Sequence, residues 1–135
     1  MKPKTIKTSE LEGAALDWAV AIAVGHEDVR VDDDKNVMVV HQDHHLPGLV
    51  DFIWFDASTN WSQGGPLIER YCMPLDYNSN SDMWAASVRM GRLANSSSGW
   101  VFMSAPTPLI AACRAIVAAK LGDVVDVPEE LVETV

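Results

Sequence analysis

The clearest hydrophobic pattern lies toward the C-terminal end of the chain. Thr107 precedes Pro108, and Leu109, Ala112, Cys113, Ile116 and Val117 then recur at helical spacing until Gly122. A threonine cap, a proline in the first helical position and a glycine just past the end delimit a helix. Its many alanines leave room for close neighbours. A second helix is read over residues 9–24. Ser9-Glu10-Leu11-Glu12 has the form of a capping box, and Gly25 offers a left-handed stop. Leu11, Ala15, Trp18 and Ile22 make one face, and Leu16 and Val20 a second. That predicts a helix covered on more than one side, with Gly13 and Asp17 on its wet side.

Short apolar or β-branched runs at 26–31, 37–41, 50–55, 83–89 and 100–103 read as strands, bounded by turn residues. Residues 32–36 form a turn, 73–82 a loop, and 95–99 a hairpin tip. Residues 1–8 read as a leader or an edge segment. Residues 124–135 read as a short strand or turn with an acidic tail.

The most concentrated stretch is Ser58-Thr59-Asn60-Trp61-Ser62-Gln63-Gly64-Gly65-Pro66-Leu67-Ile68-Glu69-Arg70. Thr59 is read as an N-cap and residues 60–63 as a first turn. Gly64-Gly65 permits a bend, and Pro66 can start a new helix. Leu67, Ile68, Tyr71 and Cys72 then share one face, where a strand would need alternation. A helix broken at Gly64-Gly65 is expected. The whole predicts an α+β fold in one domain, 1–135. Its sheet has four or five mainly antiparallel strands, packed with two long helices and the short broken one.

Composition narrows the function. The chain has 135 residues, 48% of them hydrophobic, enough for a core without metal or disulfide staples. Ten Lys and Arg residues against nineteen Asp and Glu give a formal net charge of −9. Unclustered basic residues on so acidic a chain disfavour direct nucleic-acid binding. Cys72 and Cys113 lie far apart in apolar patterns and read as buried reduced thiols. No apolar run is long enough to span a bilayer, and a cytosolic protein is expected.

Three blocks carry a resemblance to a known family. They are Thr8-Ser9-Glu10-Leu11 with Ala15-Leu16-Asp17-Trp18-Ala19-Val20-Ala21, the stretch from Ser58 to Arg70, and Pro106-Thr107-Pro108-Leu109-Ile110-Ala111-Ala112 with Lys120-Leu121-Gly122-Asp123. Together they resemble the small phage and prophage proteins of the NinX-like family, a domain of unknown function. The resemblance covers nearly the whole chain and implies an uncharacterised accessory protein in the host cytoplasm. The chain departs from the family in Asn60 for Asp, Ser62 for Ala and Ala105 for Gly, and in a longer segment over 90–99. A looser similarity to phage α-β-α sandwich domain proteins agrees with the fold but implies no activity.

Chemistry is sparse. His41, His44 and His45 with Asp43 suggest a metal loop, yet adjacent histidines on a strand point apart, and a solvated polar loop is the simpler reading. Asp32-Asp33-Asp34 lacks the glycine and terminal glutamate of a calcium loop and reads as a charged turn. No nucleophile elbow is present. Asp17 and Glu69 are weighed as a carboxylate pair against a solvated face and an ion pair with Arg70. No catalytic residue, metal or cofactor is assigned.

Binding is the better prospect. Thr59 and Thr107 sit at helix starts, Gly64 and Gly65 offer backbone N–H groups, and Trp61 can stack on a base. Arg70 or Arg114 would neutralise charge. With Asn60 and Gln63 these residues form a candidate site for a small anionic, nucleotide-like ligand, set against routine caps, a core indole and a glycine bend. The expectation is a non-enzymatic accessory protein that binds or sequesters such a ligand. One alternative is an acidic module engaging a host or phage protein, and another a small metal-dependent hydrolase. Homo-oligomers are compatible with all three.

Overall fold

The computed structural model describes residues 2–42, 50–71, 74–89 and 100–132. In chain order it contains β1 (Pro3–Lys7), a 3-10 turn (Thr8–Glu10), α1 (Gly13–Ala23), β2 (Val29–Val31), β3 (Val37–Gln42) and β4 (Val50–Trp54). Then follow α2 (Trp61–Arg70), β5 (Leu75–Asn78), β6 (Met83–Arg89), β7 (Trp100–Ala105), α3 (Pro108–Leu121), β8 (Val124–Pro128) and a closing 3-10 turn (Glu129–Leu131). The α+β class is as expected.

The strands do not join into one sheet of four or five. They form three small antiparallel sheets, with orders β1-β8, β2-β3-β4 and β5-β6-β7. Apolar runs mark where strands lie but not which pair. Here β4 leads into α2 instead of another strand, so pairing stays between chain neighbours or closes the termini. β5 falls in a segment read as a loop, and β1 in the one read as a leader or an edge segment. β1 pairs with β8 from Pro3↔Pro128 to Lys7↔Val124.

α3 forms as its sequence predicts. Thr107 Oγ1 accepts from the Ile110 N–H at 3.1 Å, Pro108 takes the first turn, and Gly122 follows with φ 104°. Its alanines let it be buried on opposite sides. Cys113 and Val117 join Leu16, Ala19 and Val20 of α1 in one core. Ala111, Ala112, Ala115 and Ile116 join Ala86, Val88 and Ala105 of the β5-β6-β7 sheet in another.

α1 starts three residues later than the capping box implies. Thr8 is spent elsewhere: its hydroxyl donates to the Gly122 carbonyl at 2.6 Å and its N–H to Asp123 O at 2.8 Å. Arg114 Nε of α3 donates to the Leu11 carbonyl at 2.8 Å, and Leu11 stays extended. Glu12, not Ser9, is the N-cap, and it makes no side-chain capping bond. Asp17 also departs from expectation: it is buried, not on a wet side.

α2 is one continuous helix, not two pieces hinged at Gly64-Gly65, and its cap is Asn60, not Thr59. Gly64 serves close packing. A Cβ on Gly64 would lie 2.5 Å from both the Ala57 carbonyl oxygen and Leu109 Cδ2. Pro66 removes the N–H that would bond the Ser62 carbonyl, but Ser62 is exposed and water can bond there. Leu67, Ile68 and Tyr71 pack on the α3 core, as their spacing predicts. Cys72 and the hairpin tip at 95–99 lie outside the described residues.

Two substitutions separate packing from helix propensity. Gly64→Ala gains up to ~1 kcal/mol of helix propensity but meets an immovable carbonyl. Overpacking of this kind costs about 1–3 kcal/mol, so a net loss of stability is expected. At Gly65 the nearest atom to an added Cβ is Trp61 Cε3 at 3.9 Å, so Gly65→Ala gains stability. Urea unfolding will show the midpoints moving in opposite directions.

Candidate functional site

Of the residues singled out in the sequence, those from 59 to 70 divide between the two ends of α2, and Thr107 and Arg114 belong to α3. Asn60 Oδ1 accepts from the Ser62 N–H at 2.9 Å, while its Nδ2 donates to Asp56 Oδ1 at 3.1 Å. Gln63 clamps the end of β4 to the helix. Its Nε2 donates to Trp54 O at 2.7 Å, and its Oε1 accepts from the Asp56 N–H at 2.8 Å. Thr59 is exposed and donates to Asp56 O. Gly64 does not offer a free N–H: it donates to Asn60 O at 2.8 Å. Trp61 does not fill the core, since its side chain is 56% exposed. Arg70 sits nine residues on, roughly 14 Å along the helix, with its guanidinium over the Tyr71 ring. Thr107 caps α3, and Arg114 bonds backbone carbonyls. The structure therefore brings Asn60, Gln63 and Asp56 together and leaves Arg70 apart.

Sequence reasoning missed the buried group behind this corner. Asp17 is 6% exposed and accepts from the Ser58 N–H at 2.9 Å. The Ser58 hydroxyl is near enough to favour the ionised carboxylate, yet it completes no hydrogen bond of sound geometry. Burial pushes the Asp17 carboxyl up to about 6; the Ser58 hydroxyl and N–H oppose the rise, and nearby Asp56 adds to it. Burial and the Asp17 charge push the Cys113 thiol up to about 12, which makes it an inert side chain. A pocket of about 70 Å³ opens beside Asp17, lined also by Asp56, Asn36 and Lys35. An Asp at the fifth position of an apolar helix was the available signal.

A larger groove of about 710 Å³ runs past the start of α1. Ile6, Leu11, Ala14, Ile110, Leu131 and Val132 give it an apolar floor. Glu10, Glu12, Asp34 and Glu130 stand around it, all exposed, against one cation, Lys35. Gly13, with φ +59° and nothing within 4 Å of its missing Cβ, keeps the wall open. Ala14 and Lys35 line both cavities, so the pocket adjoins the groove.

Asp32 accepts from the Asn36 N–H and the Asn36 side-chain amide, and then from the Asp34 N–H, and these bonds hold its carboxyl below its ordinary value. This orders the turn that presents Asp34 and Lys35. His44 and His45 lie outside the described residues. Among the described residues no three His, Cys, Asp or Glu side chains converge as metal ligands. Nor is any helix among them long and apolar enough to cross a membrane.

Residues 7–120 match the model of the family described as Bacteriophage P22, NinX. No curated protein matches the chain.

The buried carboxyl sets a pH dependence. Its folded pKa, about 6, exceeds the ordinary 3.8, so folding favours the protonated form. The contribution is complete below pH 3.8 and is lost as pH rises through about 6. The loss is about 3 kcal/mol at 1.36 kcal/mol per pH unit. Asp17→Asn is expected to be more stable than the parent at pH 8 by up to that amount, the gap closing below pH 4. Chemical denaturation at a series of pH values checks it.

Proposed function

The chain belongs to the phage NinX family, and for this member we propose a non-catalytic role: its groove docks a basic, amphipathic segment of a protein partner. The observation that carries the proposal is the union of an apolar floor with a carboxylate rim at the start of α1. An apolar stripe buries against the floor, while lysines or arginines along its edges meet Glu10, Glu12, Asp34 and Glu130. The overall charge of −9 steers such a partner toward the protein. A small anionic ligand at the start of α2 is less well supported. Asp56 already stands at that helix end, the Gly64 N–H is bonded within the helix, and Arg70 is too distant.

Calorimetry with a short amphipathic peptide of leucine and lysine tests the reading. Binding is expected, weakening as salt rises, whereas the leucine and glutamate counterpart does not bind. Reversing Glu10, Glu12 and Glu130 to lysine is expected to lower affinity about tenfold or more, or ~1.4 kcal/mol. Reversing Glu27, Asp76 and Asp123, exposed acids outside the groove, leaves most of the affinity. Equal weakening by both sets would assign the binding to net charge alone and overturn the proposal.

A further inference from the structure

We propose that the pocket beside Asp17 binds a primary ammonium group on a short unbranched alkyl chain, the lysine side chain of the segment held in the groove. The inference rests on the groove reading and names the partner's anchoring residue. Ala14 and Lys35 line both cavities, so a chain lying in the groove passes the pocket's side.

The pocket's chemistry selects the ligand. Asp17 is 6% exposed and engages one backbone N–H, that of Ser58. Ser58 behind it is 2% exposed, and its hydroxyl, which favours the ionised carboxylate, completes no hydrogen bond of sound geometry among the described residues. Asp56 lines the same space and adds a second negative charge. A buried carboxylate beside another carboxylate is held against its own desolvation and against repulsion, and a cation relieves both. Lys35 lines the pocket but makes no ion pair with either acid; among the described residues the recorded pair is Arg30 with Asp28.

Size separates the cations. About 70 Å³ is well above the ~10–15 Å³ that one water occupies on this measure. It takes a compact ammonium and the end of its stem. A guanidinium is a wide rigid plane that suits open bidentate partners. Asp17, Asp56 and Asn36 supply fewer side-chain oxygens than the about six that a hard divalent cation takes.

Nuclear magnetic resonance of the full chain, at constant ionic strength and pH 7.5, tests the assignment with n-butylammonium as probe. The Ser58 amide resonance is expected to shift and saturate. Ethylguanidinium produces a weaker response, and Asp17→Asn abolishes it. At pH 4.5 the response falls, because Asp17 is then protonated. The groups facing Asp17 are Asp56 and Ser58 after β4, Cys113 of α3, and Lys35 of the β2–β3 turn. No Ser58 response, or an equal one in Asp17→Asn, overturns the pocket assignment. If the leucine and lysine peptide still binds in that case, the groove reading survives. A butylammonium response with no peptide binding instead refutes the groove as the source of the lysine.

Discussion

One buried guanidinium fixes the geometry on which the concave face depends. Arg114 is 8% exposed in the middle of α3, where Nε donates to Leu11 O at 2.8 Å and Nη1 to Ser104 O at 3.0 Å. Two carbonyls from distant parts of the chain are thereby tied to one helix. Burial lowers the Arg114 pKa and Glu12 opposes the fall, but arginine keeps its charge. Hydrogen bonds from a charged donor are the stronger kind, and here they join the Leu11 carbonyl, between the 3-10 turn and α1, to the Ser104 carbonyl on the edge strand β7. Leu11 is held extended and buried, Gly13 turns the chain, and α1 begins late. The floor and rim of the groove follow from that delay: Glu10 ends the 3-10 turn and Glu12 stands at the start of α1 without a side-chain capping bond, so the two flank the buried Leu11.

How much of this was legible depended on whether the signal was local. Thr107, Pro108 and Gly122 specify α3 within its own sequence, and the structure agrees to the residue. The strands at β3, β4, β6 and β7 carry dense β-branched or aromatic runs. β1 and β5 do not, because each is mostly exposed and supplies few apolar side chains. Their existence depends on partners remote in sequence or across a turn. The capping box at Ser9 was a sound local signal that lost to tertiary contacts, namely Thr8 with Gly122 and Leu11 with Arg114. Gly64-Gly65 failed for a similar reason. Glycine licenses a bend, but it equally licenses a close approach, and only Ala57 and Leu109 decide between them. Of the residues read as a ligand site, Asn60 and Gln63 make structural ties at the start of α2. Asp17 was misread as solvated because a lone acid on an apolar helix normally is.

Electrostatics unites the two cavities. The rim acids are exposed and tolerate one another through solvent. Asp17 has no such relief, and its raised pKa measures how poorly the fold accommodates its charge. Sites that bind are often sites where a charge has been left without an internal partner. Away from this face the protein shows another exposed apolar feature, Trp100 and Phe102, which lie two positions apart on β7 and so share a sheet face. Their register partners on β6 are Arg89 and Ser87, so a basic segment meets a like charge there.

The most direct measurement is a residue-by-residue amide shift map on addition of the leucine and lysine peptide. The account predicts that the shifts cluster on residues 10–15, 34–35, 110 and 130–132. A map centred on Trp100 and Phe102, or spread evenly over the acidic surface, would contradict it.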